Sequence, residues 1–183
     1  MPPRREAKVK GTNMLSAVKA LRTARELAQK LLPPSLQRYL DERILVSSWY
    51  PETDLMGLLQ VLGKLLPGDD PFFLMGRHTA GEHLAGIYRG HLRAGDLERT
   101  LQSASALWRN YHDTGDMTVT LEGPGRAALQ LRGFSSTTPE FCRLLRGYFA
   151  ELAEQAGAKR VDVVKGECIL GGARACTWSL TWS

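Results

Sequence analysis

Cys176-Thr177-Trp178-Ser179-Leu180-Thr181-Trp182-Ser183 closes the chain in strict alternation. Cys176, Trp178, Leu180 and Trp182 share one face, and the threonines and serines share the other. This is the two-residue period of a half-buried strand. Gly171-Gly172, just upstream, reads as a turn. A hairpin symmetric about Gly172 sets Cys168 opposite Cys176, with Cβ atoms about 5 Å apart. Val161 and Val163 begin the partner strand, one residue out of phase with Cys168. Gly166 is the natural place for a bulge that restores the phase.

The same alternation occurs once more upstream. Met117, Val119 and Leu121 alternate with Thr118, Thr120 and Glu122. Glu122-Gly123-Pro124-Gly125 then turns the chain into Ala127, Leu129 and Leu131, which makes a second hairpin. Between the hairpins, Thr138 before Pro139 caps and opens a helix that runs to Ala156 and stops at Gly157. Short hairpin loops require antiparallel pairing. Before Met117 the apolar spacing is helical over 14–32, from Pro51 or Glu52 to Leu66, over 72–94 and over 97–112, with Ile44-Leu45-Val46 as a short extended segment. The expectation is an α+β fold. A basic arm (1–12) precedes a single domain (13–183), whose helical part (13–115) covers an antiparallel sheet of order β-β-α-β-β (116–183).

The totals restrict function. A chain of 183 residues with 43% apolar content suits one domain. No apolar run reaches the ~20 residues of a membrane span. The N-terminus continues into charge rather than a secretory apolar core, so a cytoplasmic protein is expected. Three cysteines make a disulfide framework unsuitable and favour reduced thiols or metal thiolates. The net charge of +5 is spread out beyond Arg4, Arg5, Lys8 and Lys10, without the dense basic stripe of a nucleic-acid binder. No G-x-S-x-G, phosphate-binding loop or H-E-x-x-H is present, so no enzyme is expected. His78, His83, His91 and His112 are scattered. The adjacent pairs Glu82-His83 and His112-Asp113 face different ways on a helix and read as solvated side chains.

Two constellations remain. Cys142 lies near the start of the helix between the hairpins, and a helix crossing the final hairpin brings it close to Cys168 and Cys176. Three thiolates and one further ligand make a tetrahedral zinc site, with Glu167 the nearest carboxylate by sequence. Alternation turns Glu167 away from Cys168 unless the bulge re-aims it. The same three cysteines read equally as small core residues. Trp49, Trp108, Phe134, Tyr148 and Phe149 either line a pocket or fill the helix–sheet core. A gap between a sheet and its helices is the usual place for a small apolar ligand.

The pattern Gly157-Ala158-x-x-Val161-x-Val163, then Glu167-Cys168-x-x-x-Gly172-x-x-x-Cys176-Thr177-Trp178-x-x-x-Trp182, resembles the C-terminal signature of the vinyl-4-reductase (V4R) domain. Lys10-Gly11, Trp49-Tyr50-Pro51, Trp108-x-x-Tyr111-x-x-x-Gly115, Phe141-Cys142 and Gly147-Tyr148 extend the resemblance to stand-alone proteins of this type, abundant in myxobacteria. The superfamily also holds haem-nitric-oxide-binding domains and Bet3-type tethering subunits. The resemblance implies a dimeric α+β domain with an internal pocket for an aromatic molecule, and a zinc held by three cysteines and a glutamate. Cys142, Cys168 and Cys176 match the cysteine positions; the glutamate position is Lys165. Haem is not expected, because the Tyr-x-Ser-x-Arg clamp for its propionates is missing. The function so implied is that of a non-enzymatic sensory or regulatory module that binds a small apolar or aromatic molecule and signals through a partner or dimer. The alternative is a ligand-free Bet3-like scaffold.

Overall fold

The computed structural model describes residues 6–86 and 88–183. The first five residues of the expected arm lie outside the described residues. The rest of the arm is built into the fold. β1 (Lys8–Lys10) pairs antiparallel with β2 (Trp49–Pro51), and α1 (Gly11–Thr23) starts directly after β1. Gly11 is required there, because a Cβ would lie 2.1 Å from the Leu45 carbonyl oxygen. The extended segment expected at Ile44, Leu45 and Val46 is absent, and the strand forms at Trp49 instead.

α1 ends at Thr23, and α2 (Arg25–Leu31) continues to the Pro33-Pro34 stop. α3 (Pro34–Gln37) leads through a 3₁₀ turn (Arg38–Leu40) and an irregular loop over 41–48 to β2. α4 (Glu52–Leu65) buries Leu55, Leu58, Leu59 and Leu62 on one stripe. α5 (Pro71–Ala85) begins where the Asp70 carboxylate accepts from the Phe73 N–H at 3.2 Å, with Pro71 at the first position. It ends at Ala85, short of the expected Ala94. α6 (Leu97–Gln102) and α7 (Ala104–Tyr111) are one periodic stretch broken at Ser103, whose hydroxyl donates to the Thr100 carbonyl.

β3 (Asp116–Gly123) and β4 (Arg126–Arg132) form the first hairpin; α8 (Pro139–Gln155) follows, capped by Thr138 Oγ1 accepting from the Phe141 N–H at 3.2 Å. β5 (Asp162–Lys165) and β6 (Cys176–Thr181) complete an antiparallel sheet of order β3-β4-β6-β5. The fold is α+β, with the helices over one face of this sheet. Its inward residues, Leu129, Trp178 and Leu180 among them, are almost fully buried.

α5 and α8 pack backbone to backbone. A Cβ at Gly76 would meet the Leu144 carbonyl oxygen at 1.9 Å, and one at Gly147 would meet that of Phe73 at 2.0 Å. No larger residue fits either crossing. Arg77 ties the same helices at the surface through Glu154 and Glu151. Among the described residues, no helix is long and apolar enough to cross a membrane.

Candidate functional site

A cavity of about 70 Å³ lies where the helical half meets the sheet, walled by α1, α4, α5, α6, α7, α8, β3 and β4. It exists because bulky residues from many elements meet there without interlocking. Leu55 and Leu59 come from α4, Leu107 from α7, Met117 and Leu129 from the sheet, and Phe141 and Leu145 from α8. Trp108, Tyr148 and Phe149 line it. Phe134 does not. It is buried one layer back, stacked on Phe141 at 5.1 Å and edge-on to Trp108 at 5.2 Å. Trp49 is a correction: it lies 41% exposed on the β1–β2 ribbon, with the Lys10 ammonium over its ring. Trp49 pairs with Lys10 on the outward face of the ribbon, whereas Val9, opposite Tyr50, is fully buried on the inward face.

The cavity has two polar walls, neither legible by spacing. At one, Glu52 is fully buried at the start of α4, and its Oε1 is 2.5 Å from Nδ1 of His112 at the end of α7. Nε2 of His112 is 3.3 Å from Nδ2 of Asn13, in the first turn of α1. The imidazole stacks on Trp108 at 4.1 Å. β1 holds this corner from outside through a Val9–His112 bridge and an Asp113 N–H to Lys8 carbonyl bond. At the other, the Tyr111 and Tyr148 hydroxyls meet at 3.0 Å, and burial raises the proton affinity of both. Behind them His83 is boxed by Tyr88, Tyr111 and Tyr148. Neither of its ring nitrogens has a hydrogen-bond partner among the described residues. Burial lowers its pKa to about 4, slightly opposed by the nearby Thr12 backbone and Glu82. The expectation that His83 and His112 are solvated is therefore wrong. Adjacency in sequence says nothing about a partner 60 residues away.

The three cysteines meet at the other end of α8. Cys168 Sγ lies 3.4 Å from Cys176 Sγ and 3.9 Å from Cys142 Sγ, and all three sulfurs fall within 4.8 Å of one another. Sulfurs bound to one ion at ~2.3 Å in a tetrahedron would be spaced ~3.8 Å apart, so the trio offers one face of such a site. The cause is local. The Thr177 carbonyl accepts from the Gly166 N–H, and the Thr177 N–H donates to the Glu167 carbonyl, so two residues oppose one, and the slip turns Cys168 inward. Glu167 is not a fourth ligand. Its backbone N–H is held by Thr177 Oγ1, its side chain is exposed, and no histidine or carboxylate among the described residues joins the sulfurs. Lys165 instead lies over the Trp178 ring with its ammonium bonded to the Glu167 carbonyl. Burial, with the neighbouring thiols, pushes the Cys142 thiol up. Cys168 is half-buried; its burial acts upward, but the Leu170 N–H, the two thiols and Lys165 together hold it below the ordinary value.

No protein-family model matches the chain, and no curated protein resembles it in sequence. Solved structures resemble it in fold. An H-NOX protein from S. oneidensis in the Fe(II)NO ligation state superposes with a TM-score of 0.66 at 15% identity, covering 95% of this chain and 99% of its own. A point mutant of the H-NOX protein from K. algicida, in the unliganded Fe(II) state, gives 0.67 at 11%, covering 95% and 96%. A third neighbour, solved in work on porphyrin distortion and haem redox potential, gives 0.63 at 10%, covering 94% and 99%. The chain thus has the fold of H-NOX domains. The V4R resemblance is overturned: its C-terminal pattern is that of an amphipathic hairpin, and the structural neighbours are H-NOX domains.

The expectation against haem falls with it, since these neighbours are haem proteins. Haem is thus the guest against which the cavity has to be measured. In this arrangement the lining residues do not fit it. The lining histidine, His112, has both ring nitrogens engaged, and no lysine or arginine lines the cavity among the described residues to pair with propionates.

Proposed function

We propose that the chain is a non-enzymatic cytoplasmic sensory module. It binds a small apolar or aromatic molecule between helices and sheet, and passes occupancy on through a partner protein or a second copy of itself. The observation that carries this reading is the apolar cavity at the junction of the two halves. A guest there touches α4, α7 and α8 and the sheet at once. It therefore stabilises one placement of these elements over others, which is what a sensor needs. The shared fold with H-NOX domains supports the sensory part of the reading.

Native mass spectrometry of the freshly purified chain, followed by thermal melts with small aromatic and aliphatic compounds, tests it. A retained mass or a rise in Tm is expected; a guest at 100 times its Kd stabilises by about 2.7 kcal/mol. Haem is titrated alongside, followed by visible absorption. Stoichiometric haem uptake would name a different guest, and no retained mass with no shift from any compound would sink the reading.

The thiol trio carries a second reading: Cys142, Cys168 and Cys176 hold a thiophilic metal ion. Elemental analysis of the reduced protein should then find close to one equivalent, lost in Cys176→Ser. Less than about a tenth of an equivalent speaks against it.

A further inference from the structure

We infer that Asn13 is the residue that reads a polar group on the guest, and that Glu52 and His112 are its positioning residues. The inference rests on the ligand-binding reading above and specifies the class of guest.

The polarity of the relay follows from its acceptors. The Glu52 carboxylate takes a hydrogen bond from Thr114 Oγ1 at 3.4 Å on one oxygen, and faces His112 Nδ1 at 2.5 Å on the other. A carboxylate accepts, so Nδ1 carries the hydrogen in that contact. Nε2 faces Asn13 Nδ2 at 3.3 Å, and an amide nitrogen only donates, so Nε2 is the acceptor in that contact. The imidazole cannot turn to exchange its nitrogens, because it is buried to 3% exposure and stacked on Trp108. A fixed ring fixes the amide, as in a metal site where the far nitrogen of a histidine is set by its partner.

Asn13 keeps one Nδ2 hydrogen and Oδ1. No hydrogen bond engages Oδ1 among the described residues, and Asn13 lines the cavity. Of the other polar groups at the wall, Ser16 donates to Glu82, the Tyr111 and Tyr148 hydroxyls share one hydrogen bond, and Thr79 adds a further hydroxyl on α5. Asn13 therefore offers an amide acceptor, held in one orientation by His112, in a lining that is mostly apolar. The guest that matches it is uncharged, has an apolar body, and carries one hydrogen-bond donor, a hydroxyl or an amine N–H. A charged guest finds no free ion in the wall: the one carboxylate on that side, Glu52, lies behind His112 with both oxygens bonded.

Aniline and toluene, alike in shape and different in the donor, are titrated into the full-length chain, the Asn13→Leu variant and the Glu52→Gln variant. Asn13→Leu is expected to lower the ratio of aniline to toluene association constants about five-fold, the worth of one neutral hydrogen bond. Glu52→Gln lowers the same ratio part of the way, because an amide at 52 both donates and accepts and no longer dictates which imidazole nitrogen bears the hydrogen. A purely structural role would move both probes together. If Asn13→Leu does not fold, Asn13→Ala reads the same ratio. Toluene bound with an unchanged ratio in the Asn13 variant overturns the inference and leaves the ligand-binding reading standing. Failure of both probes to bind the wild type overturns the two together.

Discussion

His83 and His112 are equally hidden, 6% and 3% exposed, and both lie against aromatic rings beside the same cavity. They differ in what their nitrogens meet. His112 is tied to Glu52 on one side and Asn13 on the other. His83 is boxed by three tyrosine rings, and neither nitrogen has a hydrogen-bond partner among the described residues. Burial alone therefore does not define the role of an imidazole. The first is part of a relay whose orientation is fixed. The second is a base stored in a box where taking up a proton is costly.

The sharpest way to break the comparison is to remove the partner of the satisfied histidine. Glu52→Ala leaves His112 Nδ1 without an acceptor in a sealed corner, and is expected to destabilise the fold by about 3–5 kcal/mol in chemical denaturation. Next comes acid. The folded-state pKa of His83, about 4, lies below its ordinary value of 6.5. The unfolded chain therefore takes up a proton that the folded chain refuses. The stability contributed by keeping His83 unprotonated is fully present above pH 6.5 and is lost as pH falls toward 4, by about 3 kcal/mol in total. Measured as the difference between wild type and His83→Phe, this loss is separated from that of the carboxylates. The smallest effect is His83→Phe itself at pH 7. It exchanges one ring for another where no hydrogen bond is lost, and should change stability by less than about 1.5 kcal/mol. A large loss there would mean that His83 has a partner after all.

The two histidines also show what a sequence can and cannot disclose. Both hairpins, the Thr138-Pro139 cap and the Pro33-Pro34 stop were legible, because each is a local pattern with a local physical cause. The β1–β2 ribbon was not, since three residues carry no period. Nor were the breaks at Ala24 and Ser103, where the apolar stripe continues across the interruption. Cys142 could be placed near the final hairpin because one helix and one turn decide it. Alternation alone turned Glu167 outward, but whether a bulge at Gly166 re-aimed it is decided only by the backbone bonds at Thr177. Glu52, His112 and Asn13 come from three helices and meet only in the fold. The signal available for them was weak: a glutamate opening a helix just after a proline, and a histidine at a helix end.

The central claim is that the cavity is a binding site rather than a packing fault. Ala104, at the start of α7, is on its wall and 8% exposed. Isothermal titration of toluene into wild type and Ala104→Phe, with the fold of both checked by circular dichroism, tests it most directly. Binding to the wild type, weakened at least about ten-fold (~1.4 kcal/mol) in the filled variant, is the predicted result. No binding to the wild type, or equal binding to both, would contradict it.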